Sequence, residues 1–351
     1  MDEELAKIKV DVGVYLPSNP DGHVVDINRT SGKPLQSHAK APFMATFKIE
    51  KEKTGKDGLD ENIFKNDNEY NDEENTTITL WQSAIFKVGD DCRQDVLALQ
   101  LIAVFKNIFT SVGLDLYVFP YRVVATAPGR GVIDVIPRSI SRDQLGREKV
   151  NSMYDYFVAK YGSPSTIAFQ RARTNFVQSA AAYSLISYLL QIKDRHNGNI
   201  MLDDDGHLVH IDFGFIFDIA PGGITFESSP FKLTTEMVQL MGGSSEQQAF
   251  KHFSELVIKG YLACRPYAEQ IMHLVTLMLQ SGLPCFKGDT IKRMRYRFQT
   301  DKSDRAAADF MIQRIKDSFE NQRTVLYDYF QKITNGKRYN TYLSLRIKIK
   351  T

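Results

Sequence analysis

Around Pro137 the spacing of apolar residues in this chain changes character. Before it, Val10, Val12, Val14 and Leu16 alternate with polar residues, and so do Phe43, Ala45, Phe47 and Ile49. Alternation of period two puts one face of a strand against a core. The pattern predicts strands over 9–16, 23–27, 43–49, 78–88, 116–125 and 131–136. One helix interrupts them. It starts near Asp91 and carries Leu97, Leu101, Ile102, Phe105, Ile108 and Phe109 on a broad apolar face, with Gly113 as its stop. Beyond Pro137, residues 166–192 read as one long, largely buried helix. Further helices are expected at 234–241, 246–264, 267–281, 304–320 and 323–333. The expected fold class is α+β, with a strand-rich first lobe and a mostly helical second lobe.

Composition narrows the class. Of 351 residues, 43% are hydrophobic and 25% charged, and the net charge is +2. That excludes a chain disordered overall and gives no electrostatic case for a nucleic-acid partner. Cys92, Cys264 and Cys285 fit no disulfide framework and no zinc spacing, so reduced thiols in a cytoplasmic protein are expected. The acidic start Met-Asp-Glu-Glu is unlike a signal or transit peptide. The near-neutral total conceals two biased regions. Residues 50–75 hold ten acidic residues against four lysines and read as a disordered insert. Residues 287–350 hold sixteen Lys/Arg against seven Asp/Glu. Their cluster Lys287, Lys292, Arg293, Arg295 and Arg297 suits an anionic leaflet, and a solvated helix face accounts for it equally well.

Chemistry concentrates in residues 194–214, Asp-Arg-His-Asn-Gly-Asn-Ile-Met-Leu-Asp-Asp-Asp-Gly-His-Leu-Val-His-Ile-Asp-Phe-Gly. Ile200 to Leu202 and Leu208 to Ile211 read as the arms of a hairpin, with Asp203-Asp-Asp-Gly206 as its turn. A hairpin brings its ends together, so Asn199 and Asp212 come within reach of one cation. One amide oxygen and one carboxylate suit Mg²⁺, which completes its shell with water and substrate phosphates. His196 lies on the same loop and titrates in the range where it can take a proton from a hydroxyl.

Asp194-Arg-His-x-x-Asn199 followed by His210-Ile-Asp-Phe-Gly214 resembles the catalytic-loop and activation-loop signature of the phosphatidylinositol 3-/4-kinase superfamily. Ordinary protein kinases carry His-Arg-Asp in the corresponding loop. Ile85-Phe-Lys-Val-Gly-Asp-Asp-Cys-Arg-Gln-Asp95 is similar to a second block of the family. Phe119 to Gly129, Gln191 to Asn199 and Gly282-Leu-Pro-Cys-Phe286 resemble its type III alpha 4-kinase branch. The similarity runs from about Tyr15 to about Asn335.

The resemblance implies a two-lobed kinase: an N-lobe over 1–136 containing the insert, a C-lobe over 137–336, and an atypical extension over 337–351. It implies ATP with Mg²⁺, or Mn²⁺ in its place. It implies transfer of phosphate to the 4-hydroxyl of phosphatidylinositol; a 3-kinase, a related protein kinase and an inactive binding module are the alternatives. Lys87 would contact ATP phosphates, with Asp95 and Tyr121 around it. Ser37 and Lys40 would stand in a phosphate-covering hairpin, since the chain has no Gly-x-Gly-x-x-Gly. Asp134 and Ile136 would hold the adenine edge through their backbone. His196 would be base or proton relay, oriented by Asp194, and Asn199 and Asp212 the metal ligands. The activation loop would run from Asp212 to Lys232 and present the lipid, with Phe213, Gly214, Pro221, Gly222, Gly223 and Lys232 as its marked positions. Lys232 is the sole cation in that loop, which argues for an inositol lipid without extra phosphates. The family also implies peripheral attachment to a membrane, the plasma membrane by resemblance. Scaffold or regulatory proteins would bind a long region preceding the core.

Overall fold

The computed structural model describes residues 1–35, 42–52, 77–148, 152–223 and 229–319. Contacts divide the chain into two compact units, Met1–Leu101 with Pro120–Arg138 and Ile102–Phe119 with Ser139–Thr351.

The period-two segments of the first unit form an antiparallel five-stranded sheet. Its strands are β1 (Gly22–Pro34), β2 (Phe43–Glu52), β3 (Thr77–Val88), β4 (Val123–Ala127) and β5 (Arg130–Asp134), in the order β1-β2-β3-β5-β4. β2 and β3 stay in register without a break from Phe43↔Phe86 to Glu52↔Thr77. Strand β2 thus reaches three residues into the stretch expected to be an insert, and residues 53–76 lie outside the described residues. Leu16, Val24, Ile49, Leu80, Ala84 and Val132 make the core of this unit. A smaller cluster of Leu5, Ile27 and Ala45 lies beneath the short helix α1 (Asp2–Ala6).

Two expected strands are corrected. Residues 9–16 form a loop: Gly13 turns the backbone at φ +84°, Val12 is fully exposed, and Val10 and Leu16 alone pack inward. The alternation there was real in the sequence, but no ladder forms around the turn. The stretch 116–125 becomes regular only at Val123. Pro120 has no N–H to give a ladder, and the Phe119 N–H goes to the Tyr183 hydroxyl at 3.1 Å instead.

Helix α2 (Arg93–Ser111) runs as expected and is followed by Gly113 at φ +67°. Its approach to β5 is close. A Cβ placed on Gly131 would lie 2.5 Å from the Cys92 sulfur and 2.8 Å from the Cys92 Cβ.

The second unit contains a small sheet, order β6-β7-β8, of β6 (Ser139–Ser141), β7 (Ile200–Asp203) and β8 (Leu208–His210). Around it lie α3 (Arg142–Arg147), α4 (Met153–Tyr161), α5 (Ile167–Leu190), α6 (Thr235–Leu240), α7 (Gln248–Cys264), α8 (Ala268–Leu277), α9 (Thr290–Phe298) and α10 (Asp304–Phe319). The expected helix at 323–333 and the extension 337–351 lie outside the described residues.

Helix α5 is the axis of this unit. Thr166 caps its start by accepting the Phe169 N–H at 3.2 Å. Every residue from Ser179 to Leu190 is buried. Ser179 makes that burial compatible with a polar atom: it donates to the Asn175 carbonyl and accepts the Leu208 N–H, both at 2.8 Å, tying α5 to β8. The last carbonyls of a helix lack partners within it. Here Ile192 N–H meets the Ser187 carbonyl, Phe217 N–H meets Leu190, and the Arg297 Nε donates to Leu189 at 2.8 Å.

The basic cluster of α9 is therefore mostly structural. Arg297 is buried on the end of α5, and desolvation lowers its pKa to about 10. Arg293 pairs with Asp218 at 2.7 Å and Arg295 with Glu269. Three of the five cations, read as suiting either an anionic leaflet or a solvated helix face, have partners within the fold. No described helix is long and apolar enough to cross a membrane. Cys92, Cys264 and Cys285 are free, buried thiols; burial pushes Cys92 up to about 11 and Cys285 to about 12, away from reactive thiolates.

Two outcomes follow from this packing. Gly131→Ala should cost about 1–3 kcal/mol by overpacking against Cys92, and Cys92→Ala in the same chain should recover only part of it, because the sulfur is removed while the Cβ contact at 2.8 Å remains, as read by denaturant unfolding. His210 is buried in β8, and desolvation, with the Arg195 and Lys232 charges adding to it, holds its pKa well below the ordinary imidazole value of 6.5. A depressed folded pKa means the unfolded chain takes the proton first. The stability from neutral His210 is complete above 6.5 and drains away as pH falls below it. His210→Gln should flatten the drop in unfolding free energy measured between about pH 7.5 and about pH 5.5.

Candidate active site

The chain leaves α5 through Gln191, which sits in the left-handed region at φ +52°, and enters residues 193–199. Asn197–Asn199 make one 3₁₀ turn whose cap is His196. The His196 Nδ1 accepts the Gly198 N–H at 3.0 Å, and a Cβ on Gly198 would press to 2.8 Å from the ring. With Nδ1 accepting, the neutral ring carries its proton on Nε2. That nitrogen lies 3.9 Å from Asp194 Oδ2, so the two half-buried side chains form a pair.

Asn199 is buried at the foot of β7. Its Nδ2 donates to the Asp194 carbonyl at 2.9 Å, which commits the amide nitrogen and leaves Oδ1 as the atom suited to a cation. The β7–β8 ladder continues past Ile200↔His210, because Ile211 N–H donates to the Asn199 carbonyl at 3.1 Å. One residue on, Asp212 stands exposed at φ +61°, with Gly214 N–H on its Oδ1 at 3.2 Å. The hairpin thus brings Asn199 and Asp212 to its open end. Two hard oxygen donors fit Mg²⁺ better than a soft metal. Among the described residues, no group of three or more His, Cys, Asp and Glu assembles as a closed metal cage.

The residue that holds these pieces is Arg195, 1% exposed. Its Nε donates to the Lys193 carbonyl at 3.0 Å, and its terminal nitrogens donate to the carbonyls of Ile211 at 2.7 Å, Asn199 at 3.5 Å, and Asp212. The guanidinium also lies 5.6 Å from the Phe213 ring centroid. Sequence reasoning passed over Arg195, although it stands between the two residues singled out for proton transfer. It also passed over Lys193, whose buried ammonium donates to the carbonyls of Phe217 at 2.6 Å and Ile219 at 3.2 Å. A charge directly after the buried apolar run that ends at Ile192 was the available signal.

Of the marked loop positions, Phe213 is fully buried, Gly214 is exposed, and Pro221, Gly222 and Gly223 form a 3₁₀ turn. Lys232 is buried at 9% exposure, with its charge felt by His210.

In the first unit, Lys87 closes β3 opposite Gly131, its ammonium 4.0 Å from the Asp90 carboxylate. Asp95 is buried on the first turn of α2, and both Lys87 and Asp95 act electrostatically on the Cys92 sulfur between them. Tyr121 and Ile136 are buried. Asp134 ends β5. Its N–H goes to the Arg122 carbonyl at 2.9 Å, and its Oδ1 accepts from Gln82, which in turn accepts from Asn19 at 2.7 Å. Burial pushes the Asp134 carboxyl above its usual range, with hydrogen bonding and the Arg122 charge opposing. Ser37 and Lys40 lie outside the described residues.

Residues 81–288 match the family described as Phosphatidylinositol 3- and 4-kinase. The chain is 65% identical over 343 residues to phosphatidylinositol 4-kinase stt4 of Schizosaccharomyces pombe, covering 97% of itself and 18% of that protein. It is 62% identical over 344 residues to phosphatidylinositol 4-kinase STT4 of Saccharomyces cerevisiae, covering 97% of itself and 17% of that protein. It is 44% identical over 264 residues to phosphatidylinositol 4-kinase beta 1 of Arabidopsis thaliana, covering 73% of itself. The chain therefore spans under a fifth of the length of the first two relatives. The matched stretch begins in β3, ahead of Lys87, and runs past the β7–β8 hairpin and the loop that follows it, so the whole arrangement around the hairpin falls within it, and the chain belongs to the phosphatidylinositol 3- and 4-kinase family.

Proposed function

We propose that this chain transfers the γ-phosphate of ATP to the 4-hydroxyl of phosphatidylinositol at a membrane surface. The observation that carries this reading is the open end of the β7–β8 hairpin, where Asn199 and Asp212 stand beside the Asp194–His196 loop. The curated relatives named above are phosphatidylinositol 4-kinases, which favours the 4-hydroxyl over the 3-hydroxyl.

Lys87 would pair with the ATP phosphates, with Asp95 and Tyr121 shaping its surroundings and Ile136 and Asp134 at the adenine edge. Asn199 Oδ1 and Asp212 would hold Mg²⁺, which when bound neutralises developing charge on the phosphates. The remaining work is positioning and the movement of one proton. The Asp194–His196 pair would receive the proton of the inositol hydroxyl as its oxygen attacks. The ring would become a base when Nδ1 releases the Gly198 N–H and takes the hydroxyl proton, with the Asp194 carboxylate facing Nε2–H and balancing the charge of the imidazolium that forms. Lys232, being buried, supports the loop from within, and the exposed 3₁₀ turn Pro221–Gly223 is the better candidate for touching lipid. Scaffold partners would belong to the parts of the relatives that this chain does not span.

The decisive assay is transfer of labelled phosphate from ATP to phosphatidylinositol vesicles, with separation of the 3- and 4-phosphate products. A 3-phosphate product, or transfer to protein alone, would overturn the reading. Asp212→Asn keeps a residue tolerant of the left-handed region and removes the charge. Together with Lys87→Met it should lower turnover by a factor on the order of 1,000 while leaving the melting temperature nearly unchanged, since Asp212 is exposed and Lys87 partly so. Retained lipid phosphorylation in either variant would remove that residue from the assignment.

A further inference from the structure

The start of the activation loop is bolted to the segment that opens α9, and the bolt is Asp218. Its side chain is 8% exposed. Oδ2 accepts the Lys287 N–H at 3.0 Å and the Thr290 hydroxyl, and Oδ1 accepts the Arg293 Nε at 2.9 Å. The Arg293 guanidinium reaches the Lys287 carbonyl as well, so one carboxylate and one guanidinium fasten the whole turn 287–293. The backbone adds Asp218 N–H to the Cys285 carbonyl at 3.2 Å, and the Phe217 ring stacks on Phe286 at 5.7 Å.

From the opposite side, Lys193 holds the carbonyls of Phe217 and Ile219, and its own N–H donates to Phe215 at 2.8 Å. Lys193 directly precedes Asp194. Between these two anchors Phe217 sits in the left-handed region at φ +51°, a conformation that a bulky residue keeps only when its neighbours over-determine it. The chain from Asp212 to Ile219 has no regular secondary structure. Its path is set by these polar bonds and by the burial of Phe213, Ile216 and Phe217.

We propose that Asp218, locked by Arg293, is a positioning residue for the lipid acceptor: it fixes the stretch that carries the exposed turn Pro221–Gly223 relative to the Asp194–His196 loop. This rests on the kinase reading above and deepens it. It also reassigns α9. Its Arg293 holds the acceptor-facing loop in place, and this role needs no contact with a leaflet.

Three substrates separate positioning from membrane docking and from general damage: phosphatidylinositol vesicles, a short-chain phosphatidylinositol kept monomeric, and ATP. Asp218→Asn removes the buried charge, and Arg293→Met breaks the same bond from its half-exposed side while keeping an aliphatic stem. Both variants should lower kcat/KM for phosphatidylinositol roughly tenfold, equally for vesicles and monomers, while KM for ATP moves by less than about twofold. Arg293→Lys should recover part of the loss. A loss confined to vesicles would mean that α9 acts by membrane contact and would overturn the proposal. So would unchanged lipid kinetics in both variants, or a parallel loss in ATP and lipid kinetics. Failure of the unmodified chain to phosphorylate phosphatidylinositol would instead defeat the functional reading, and the proposal with it.

Discussion

A buried guanidinium is costly to desolvate, by several kcal/mol, and is tolerated only where its donors find partners. Arg195 meets that condition with four carbonyls, two before the β7–β8 hairpin closes and two after it. The consequence is mutual dependence. The loop 193–199 and the strand exit at 211–212 each present carbonyls to the guanidinium, of which that of Asn199 alone also accepts a ladder N–H, from Ile211. Neither arrangement is stable without the cation, and the cation is not buried without both. The positions of His196, Asn199 and Asp212 are therefore not three separate facts. They are the three visible ends of one hydrogen-bonded unit, seated on the satisfied C-terminus of α5.

The same device recurs outward from that unit. Lys193 answers the carbonyls of Phe217 and Ile219, Asp218 answers the donors of the 287–293 turn, and Arg297 answers the last turn of α5. Each is a charged side chain withdrawn from water, and it meets groups in irregular backbone or at a helix end that no ladder or helical bond satisfies. Irregular backbone is otherwise hard to bury, because every unpaired N–H or carbonyl carries a desolvation cost. Buried charge thus does for this region what ladders do for the sheet.

That division explains what was legible in the sequence. The strands β2 and β3 and the helices α2, α5, α7 and α10 follow from spacing alone, because their backbones satisfy themselves and the side chains need only face inward. The placement of Asn199 and Asp212 at the open end of the hairpin was legible for the same reason, since a turn at Asp203–Gly206 fixes which residues oppose each other. Spacing misled at Val12 and Val14, where alternation continues through a turn at Gly13. It said nothing of Arg195, Lys193 or Asp218. Their partners are carbonyls and N–H groups anonymous in sequence, brought within reach only by the finished fold. The cluster 287–297 looked like a surface for an anionic layer because sequence shows the cations and hides Asp218, Glu269 and Leu189, which receive them.

Backbone geometry adds a constraint that charge alone does not. Asp194 and Asp212 both sit in the left-handed region, at φ +60° and +61°. Most L-residues pay about 1–2 kcal/mol there, while Asp and Asn are relieved by local hydrogen bonding. Asp212 shows such a bond, with its Oδ1 on the Gly214 N–H, and the turn it makes points the chain from β8 toward Phe213, whose ring lies against Arg195. The residue type that the backbone tolerates is the one whose carboxylate the proposed chemistry needs. An apolar residue at either place would lose the charge and strain the turn together. The geometry of the loop and its electrostatics therefore cannot drift apart by single substitutions without passing through Asn or Gly, the neutral residues that keep the turn.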